Sequence, residues 1–301
     1  MLFQDGSPKS GYTIIEVMIF MAISGIMFMM AATFISGKQG AAQFRQSMND
    51  MNGQVQAIMN EVANGEYSSL GANNCTASTV TNSAPTIKAG TRPQGSNGGC
   101  TFLGKVVQFH LNSSPSALST DDTQFAIYTA VARQTNVTTT DSVDSFANAS
   151  PMVVDTKATG NPASVNLTRT PITSFSLQFT NAFLCTTDCA VSSTPIGAFG
   201  FFGSFGGYVS KAATNQSSAQ QIITAAVPGT YSAAYFNEGD MADKLNSKLP
   251  TIGTSDVVVG GKLILLCFKY GPKYGSITIG GSSGQAQTTT INMGYSTPCA
   301  K

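Results

Sequence analysis

Tryptophan is absent from the 301 residues, and histidine occurs once, at His110. Charge is scarce as well: Lys, Arg, Asp and Glu together make up 10% of the chain, with a formal net charge of +1. No basic patch stands out, so nothing in the sequence points to nucleic acid as a partner. A single histidine rules out a His cluster. No nucleophile elbow, phosphate-binding loop or convincingly spaced carboxylate pair accompanies it. The expectation is a protein without catalytic residues, cofactor or resident metal. His110 falls in a β-rich stretch and reads as a structural residue.

What fills the chain instead is Ser, Thr, Asn, Gly and Ala. Such a surface is kept wet by hydroxyls and amides rather than by charge. Six cysteines are present: Cys75, Cys100, Cys185, Cys189, Cys267 and Cys299. All follow the apolar N-terminal segment described below, and an even count in an exported domain reads as disulfides. Their connectivity stays open from sequence alone. Sequential pairing, Cys75 with Cys100, Cys185 with Cys189 and Cys267 with Cys299, is the simplest guess. A competing reading takes Cys185-Thr186-Thr187-Asp188-Cys189 as half of a metal site. The spacing differs from the usual two-residue zinc knuckle, and no histidine lies near.

The first eleven residues are polar and end in Lys9-Ser10-Gly11. Tyr12 to Ile35 follows, a nearly continuous apolar run of 24 residues without proline. As a helix it covers roughly 36 Å, enough for a bilayer core of about 30 Å. A secretory signal has a shorter apolar stretch and a small-residue cleavage site after it. The feature that stands out is Glu16 inside the run. A carboxylate at membrane depth costs a few kcal/mol (roughly) and is rare without a partner. One reading puts Glu16 near the interface, reaching water. The sharper one has it paired in an assembly.

Gly11-Tyr12-Thr13-Ile14-Ile15-Glu16-Val17-Met18 resembles the processing site of type IV prepilins and pseudopilins. The likeness continues through Ala22-Ile23-Ser24-Gly25-Ile26 and covers roughly the first 50 residues. It implies that a prepilin peptidase cuts between Gly11 and Tyr12, then methylates the new N-terminus on Tyr12. Glu16 becomes the fifth residue of the mature chain. The resemblance further implies that Glu16 of one subunit meets the Tyr12 amine of a neighbour, with Thr13 adding a hydroxyl to the same assembly site. Two opposite charges in a bilayer offset each other only when close and well paired. Two departures stand out: Tyr12 replaces the usual Phe, and Thr33 stands where many major pilins carry a helix-kinking proline. The second predicts a straighter helix.

Past the membrane run, apolar residues recur at Phe44, Met48, Met51, Val55, Ile58 and Val62, one stripe along a helix. The opposite face carries Gln43, Arg45, Gln46, Asn49, Asp50, Gln54, Gln56, Asn60 and Glu61. Asn64-Gly65 is a helix stop. From about Ser68 the texture becomes β-rich. Strands are expected at Lys105–Leu111, Gln124–Ala132, Pro151–Asp155, Ser174–Phe179, Val257–Val259, Lys262–Tyr270, Ser276–Ile279 and Thr288–Met293, with a short helix over Asp240–Lys248. The fold class read from this pattern is α+β, one long helix packed on an antiparallel sheet.

The segments are then a leader at 1–11, a transmembrane helix at 12–35, its amphipathic continuation at 36–65, and an extracytoplasmic β-rich domain at 66–301. Residues 71–100 and 185–250 read as insertions. The second holds a Gly- and Phe-rich run, Ala198 to Tyr208, read either as an exposed sticky patch or as a strand on the domain's own core. The size and insertions suggest a minor or tip subunit of a type IV pilus or related filament. Its expected partners are other pilin subunits, the prepilin peptidase, the cytoplasmic membrane before assembly, and a surface ligand at a filament tip. The alternatives are a pseudopilin of a secretion or DNA-uptake system, an adhesin acting through 185–250, and a membrane-anchored exported enzyme supported by size alone.

Overall fold

In the computed structural model, the residues described are 11–64, 73–76, 86–89, 100–112, 120–133, 146–153, 170–171, 177–186, 189–190, 192–203, 222–227, 245–253, 255–258, 261–280, 289–294 and 299. The chain divides into two compact units, Met1–Arg45 and Gln46–Lys301. Helix α1 runs without interruption over Ile14–Ala63, and Asn64 is a turn.

In the first unit, the apolar side chains of α1 lie open to the surroundings. Ile14 is 81% exposed and Phe28 76%. This stretch is long and apolar enough to cross a membrane by length and composition. Thr33 donates its hydroxyl back to the Met30 carbonyl at 2.9 Å, the local side-chain-to-backbone bond common for Thr within helices.

In the second unit, the stripe continues as a buried seam. Met48, Met51 and Val55 are fully buried, and Ile58, Met59 and Val62 nearly so. Gln46, Asn49, Asp50, Gln56 and Asn60 stay exposed. Each large apolar side chain so buried stabilises by about 1.5–3 kcal/mol, far more than helix propensity supplies.

The strands are β1 (Asn73–Thr76), β2 (Thr86–Ala89), β3 (Cys100–Asn112), β4 (Thr120–Arg133), β5 (Met152–Val153), β6 (Thr170–Pro171), β7 (Gln178–Cys185), β8 (Ser193–Pro195), β9 (Ala198–Gly203), β10 (Ile222–Ala226), β11 (Leu263–Tyr270), β12 (Lys273–Gly280) and β13 (Thr289–Met293). A short helix α2 spans Phe146–Ala149, a helical turn covers 245–248, and a 3-10 turn follows at Leu249–Thr251. All pairings are antiparallel. The α+β class read from the sequence holds, a long helix with antiparallel sheet, and the strands divide into two large sheets and a two-stranded ribbon rather than one sheet. One sheet has the order β10-β9-β3-β4-β5, with β6 also on β4. The other runs β13-β12-β11-β7-β8, and β1 pairs β2.

The reason for two sheets lies in the residues that face both ways. In β3, Val106 and Val107 point to opposite faces, yet both are fully buried. One face of the six-stranded sheet is covered by α2 and the turns at 245–251. There Tyr128, Phe146, Val153, Phe202, Leu245 and Leu249 form one core. Tyr128 donates its hydroxyl to Gln108 Oε1 at 2.9 Å, which satisfies both buried polar groups.

A second core joins the two sheets. Phe109 of β3 stacks on Phe179 of β7 at 4.0 Å and meets Phe268 of β11 edge-on at 6.3 Å. Gly104 allows β9 to approach: a Cβ there would lie 2.0 Å from the Phe201 carbonyl oxygen. Arg133, closing β4, is buried, and desolvation lowers its pKa from the ordinary arginine value.

The run Ala198–Gly203 is strand β9, and its Phe199, Phe201 and Phe202 are fully buried. Of the two readings of that run, the strand on the domain's own core is the one found over Ala198–Gly203, and residues 204–208 lie outside those described. Residues 185–250 also supply β8 and β10. The Ser174–Phe179 expectation is displaced. Strand β7 begins at Gln178 and extends to Cys185, and residues 174–176 lie outside those described. At Val257 there is a lone bridge to Ala225 rather than a strand.

Candidate processing and assembly site

The candidate site is the start of α1. A helix leaves its first N–H groups without partners. Here Thr13 and Glu16 answer that need reciprocally. The Glu16 backbone N–H donates to Thr13 Oγ1 at 3.3 Å. The Thr13 backbone N–H and its hydroxyl both donate to Glu16 Oε2, each at 3.3 Å. This is a capping box, a threonine at the cap and a glutamate three residues on. The carboxylate also sits at the positive end of the helix dipole, which favours its charge.

The cap places the carboxylate beside the backbone of Thr13, one residue from Tyr12. Gly11 and Tyr12 precede the first helical residue, outside any helix or strand and open to the surroundings, and Tyr12 is 86% exposed. An unfolded, accessible peptide bond between Gly11 and Tyr12 is what a peptidase needs. Among the described residues, nothing lies within 4 Å of where a Cβ on Gly11 would be. The sequence reading gave Thr13 an assembly role and missed its role as the helix cap. The signal was present in Thr13-Ile14-Ile15-Glu16, which fits the capping-box pattern.

The remaining candidate residues are spread over the second unit. Cys185 bonds Cys189, with Cα atoms 5.0 Å apart, and Cys267 bonds Cys299, with Cα atoms 5.3 Å apart. The half-metal-site reading of Cys185 and Cys189 gives way to this bridge, since a bonded sulfur is no thiolate ligand. The two disulfides share a small apolar cluster with Leu265, against which Phe183 and Leu263 pack. Cys75, Cys100 and His110 lie in strands β1 and β3, but their side chains, and so the Cys75–Cys100 pairing, are outside what is described. Among the described residues, no group of three or more His, Cys, Asp and Glu side chains is placed to hold a metal. A groove of about 180 Å³ lies beside Gln56, Met59, Asn60, Ala63 and Ile222. That is smaller than the roughly 300–1,000 Å³ of small-molecule sites.

Residues 6–32 match the family model described as the prokaryotic N-terminal methylation motif, the type IV prepilin-type signature. The match spans Gly11, Tyr12, Thr13 and Glu16 and supports a type IV pilin-like or pseudopilin protein, a structural class. Comparison with curated proteins and with solved structures finds no match to this chain.

Proposed function

We propose that this protein is a structural subunit, minor or at the tip, of a type IV pilus or related filament. The observation that carries the reading is the methylation motif over residues 6–32, with Gly11, Tyr12 and Glu16 at its spacing. A prepilin peptidase cuts after Gly11 and methylates the amine of Tyr12. Before assembly the chain rests in the cytoplasmic membrane through the apolar part of α1, with the two-sheet domain outside. In the filament, Glu16 of one subunit pairs with the Tyr12 amine of another.

The membrane supplies the driving force for that pairing. Either charge alone is costly in hydrocarbon, and bringing the two together removes both costs. The capping box gives the carboxylate partial satisfaction while the subunit waits. Its bonds of 3.3 Å are longer than a charge-assisted bond of about 2.8 Å, so a neighbouring ammonium competes well for the same oxygen.

The decisive test is mass spectrometry of the N-terminal peptide from membrane and sheared-surface fractions. A peptide starting at methylated Tyr12 in sheared material is the expected result. A start at Met1, or beyond Ile35, would sink the filament reading. The burial of β9 bears on the adhesin alternative. Removing 185–250 would take sheet strands with it, so loss of adhesion in such a deletion would not identify a binding surface. The pseudopilin alternative shares the N-terminal motif and is separated from a pilus role by which machine's loss strands the subunit in the membrane.

A further inference from the structure

The last strand of a sheet leaves a row of backbone N–H and C=O groups without partners, and proteins blunt such edges with shortness, proline or a covering segment. Strand β8 is three residues long and includes Pro195. Strand β10 is covered by residues 256–258: Ala226 N–H donates to the Asp256 carbonyl at 3.0 Å, and Val258 N–H to the Thr224 carbonyl at 2.8 Å. Strand β5 is two residues long, and its Val153 N–H donates to Asn246 Oδ1 at 2.7 Å. Strand β13 has none of these devices. It is five residues, Thr289-Thr290-Ile291-Asn292-Met293, without charge, proline or a register shift against β12.

Which groups of β13 face outward follows from its ladder. One step beyond the Gly275–Met293 pair, Gly294 N–H donates to the Tyr274 carbonyl at 3.2 Å. In an antiparallel pair hydrogen-bonded residues alternate, so Asn292 and Thr290 also turn toward β12. Thr289, Ile291 and Met293 turn their N–H and C=O groups outward, where no hydrogen bond meets them among the described residues. Gln56 reaches the Thr289 hydroxyl and leaves its backbone open. A second observation falls on the same strand. Outside the apolar run of α1, Met293 is the one large hydrophobic side chain exposed among the described residues, at 40%.

We propose that β13 pairs with β13 of a second copy of this chain, antiparallel and centred on Ile291, so that two five-stranded sheets become one continuous sheet. The pattern of the strand selects its own copy as the occupant. In that register Ile291 lies opposite the copy's Ile291, Thr289 opposite the copy's Met293, and Thr290 opposite the copy's Asn292. The outward groups of Thr289, Ile291 and Met293 meet the same groups of the copy as hydrogen-bonded pairs. Met293 is covered by the copy's Thr289 and Ile291, while Thr290 and Asn292 keep polar company on the other face. With no charge on the strand, nothing repels the copy. The contact is isologous and closes on itself, whereas a filament grows through contacts that do not close. It therefore pairs subunits without lengthening a filament, and it stands on β13 alone, independent of the filament reading above.

The test uses the full chain in detergent, with sedimentation of a dilution series reporting the dimer. Thr290 and Asn292 are exposed, so charging them spares the fold. Thr290→Asp with Asn292→Asp sets acid opposite acid across the pair, and Thr290→Lys with Asn292→Lys sets lysine opposite lysine. Each double variant should move the dissociation midpoint to about tenfold higher protein concentration, and an equimolar mixture of the two should restore the dimer. Thr290→Cys mixed with Asn292→Cys should cross-link on mild oxidation with glutathione disulfide, because opposite residues of that non-hydrogen-bonded pair lie about 4.5 Å apart. Either cysteine variant alone meets its copy only on a diagonal of about 7–8 Å and should bridge poorly. The cysteine variants carry no charge and report independently should a charged one misfold. A chain that stays monomeric at every concentration overturns the pairing. A dimer that both charged variants keep overturns it in favour of association elsewhere on the chain. A cross-link formed by one cysteine variant alone and not by the mixture overturns the register centred on Ile291.

Discussion

At residue scale, Glu16 is the side chain whose chemistry is hardest to place in a lone subunit. Among the described residues its carboxylate bonds to Thr13. Glu16→Ala should leave the protein in the membrane and remove it from sheared filaments. Equal incorporation of the variant, quantified by immunoblot of both fractions, would mean the pairing account is wrong. Thr13→Val keeps the side-chain shape and loses the hydroxyl, which weakens the cap by about 1 kcal/mol. Its effect on incorporation should be partial, and Thr13→Ser should restore it. If Thr13→Val behaves as the parent chain, the capping box has no part in assembly. The Thr-x-x-Glu pattern was legible in the sequence. Its geometry was not, because a cap depends on where the helix begins, and helix starts are set by backbone torsions that composition does not report.

At the scale of elements, the later half of α1 is tied to both sheets by two polar contacts. Gln56 donates its side-chain amide to the Thr289 hydroxyl of β13 at 2.9 Å, and Glu61 forms an ion pair with Lys105 of β3. The Lys105 side chain is 10% exposed and that of Glu61 42%. The two deletions should therefore be unequal. Glu61→Gln leaves a buried ammonium without its counter-charge and should destabilise by roughly 1–3 kcal/mol. Lys105→Met leaves only a half-exposed carboxylate and should cost less. Pairing Glu61→Leu with Lys105→Met should recover most of the loss, as measured by denaturant midpoints in detergent. A loss on Glu61→Gln no larger than that of an exposed surface pair would show that Lys105 is better hydrated than its burial indicates. The seam from Met48 to Val62 could be read from spacing, since a 3.6-residue period needs no tertiary information. The partner of Glu61 could not, because it lies 44 residues along the chain.

For the whole molecule, stability rests on the core shared by the two sheets and on the bridges that close the second unit. Phe109→Ala removes a ring stacked on Phe179 and should destabilise by about 3–5 kcal/mol. Cys267 and Cys299 are 32 residues apart in sequence and Cys185 and Cys189 only 4. In the chain-entropy view a longer loop constrains the unfolded state more. Replacing Cys267 and Cys299 by Ser should cost about 3–4 kcal/mol, and the same change at Cys185 and Cys189 about 2. Thermal unfolding of the two double variants would check the order. Equal losses would mean that native packing around Leu265, rather than loop length, sets the contribution.

The sequence by itself determined the features that depend on neighbours within a few turns. These are the apolar run, the carboxylate at a set distance after Gly11, the amphipathic seam, and the strongly patterned strands β3, β4, β11 and β12. Local periodicity and a processing motif are contained in short stretches of chain, so they need no fold to be read. The tertiary structure decided what depends on distant segments. It made two sheets from strands expected in one, because Val106 and Val107 both had to be buried on opposite faces. It placed Phe199, Phe201 and Phe202 in the core, because β9 lies between β10 and β3. It left the outward backbone groups of Thr289, Ile291 and Met293 open, because strand order puts β13 at a sheet edge. Burial and register are properties of the assembled chain, and no single segment carries them.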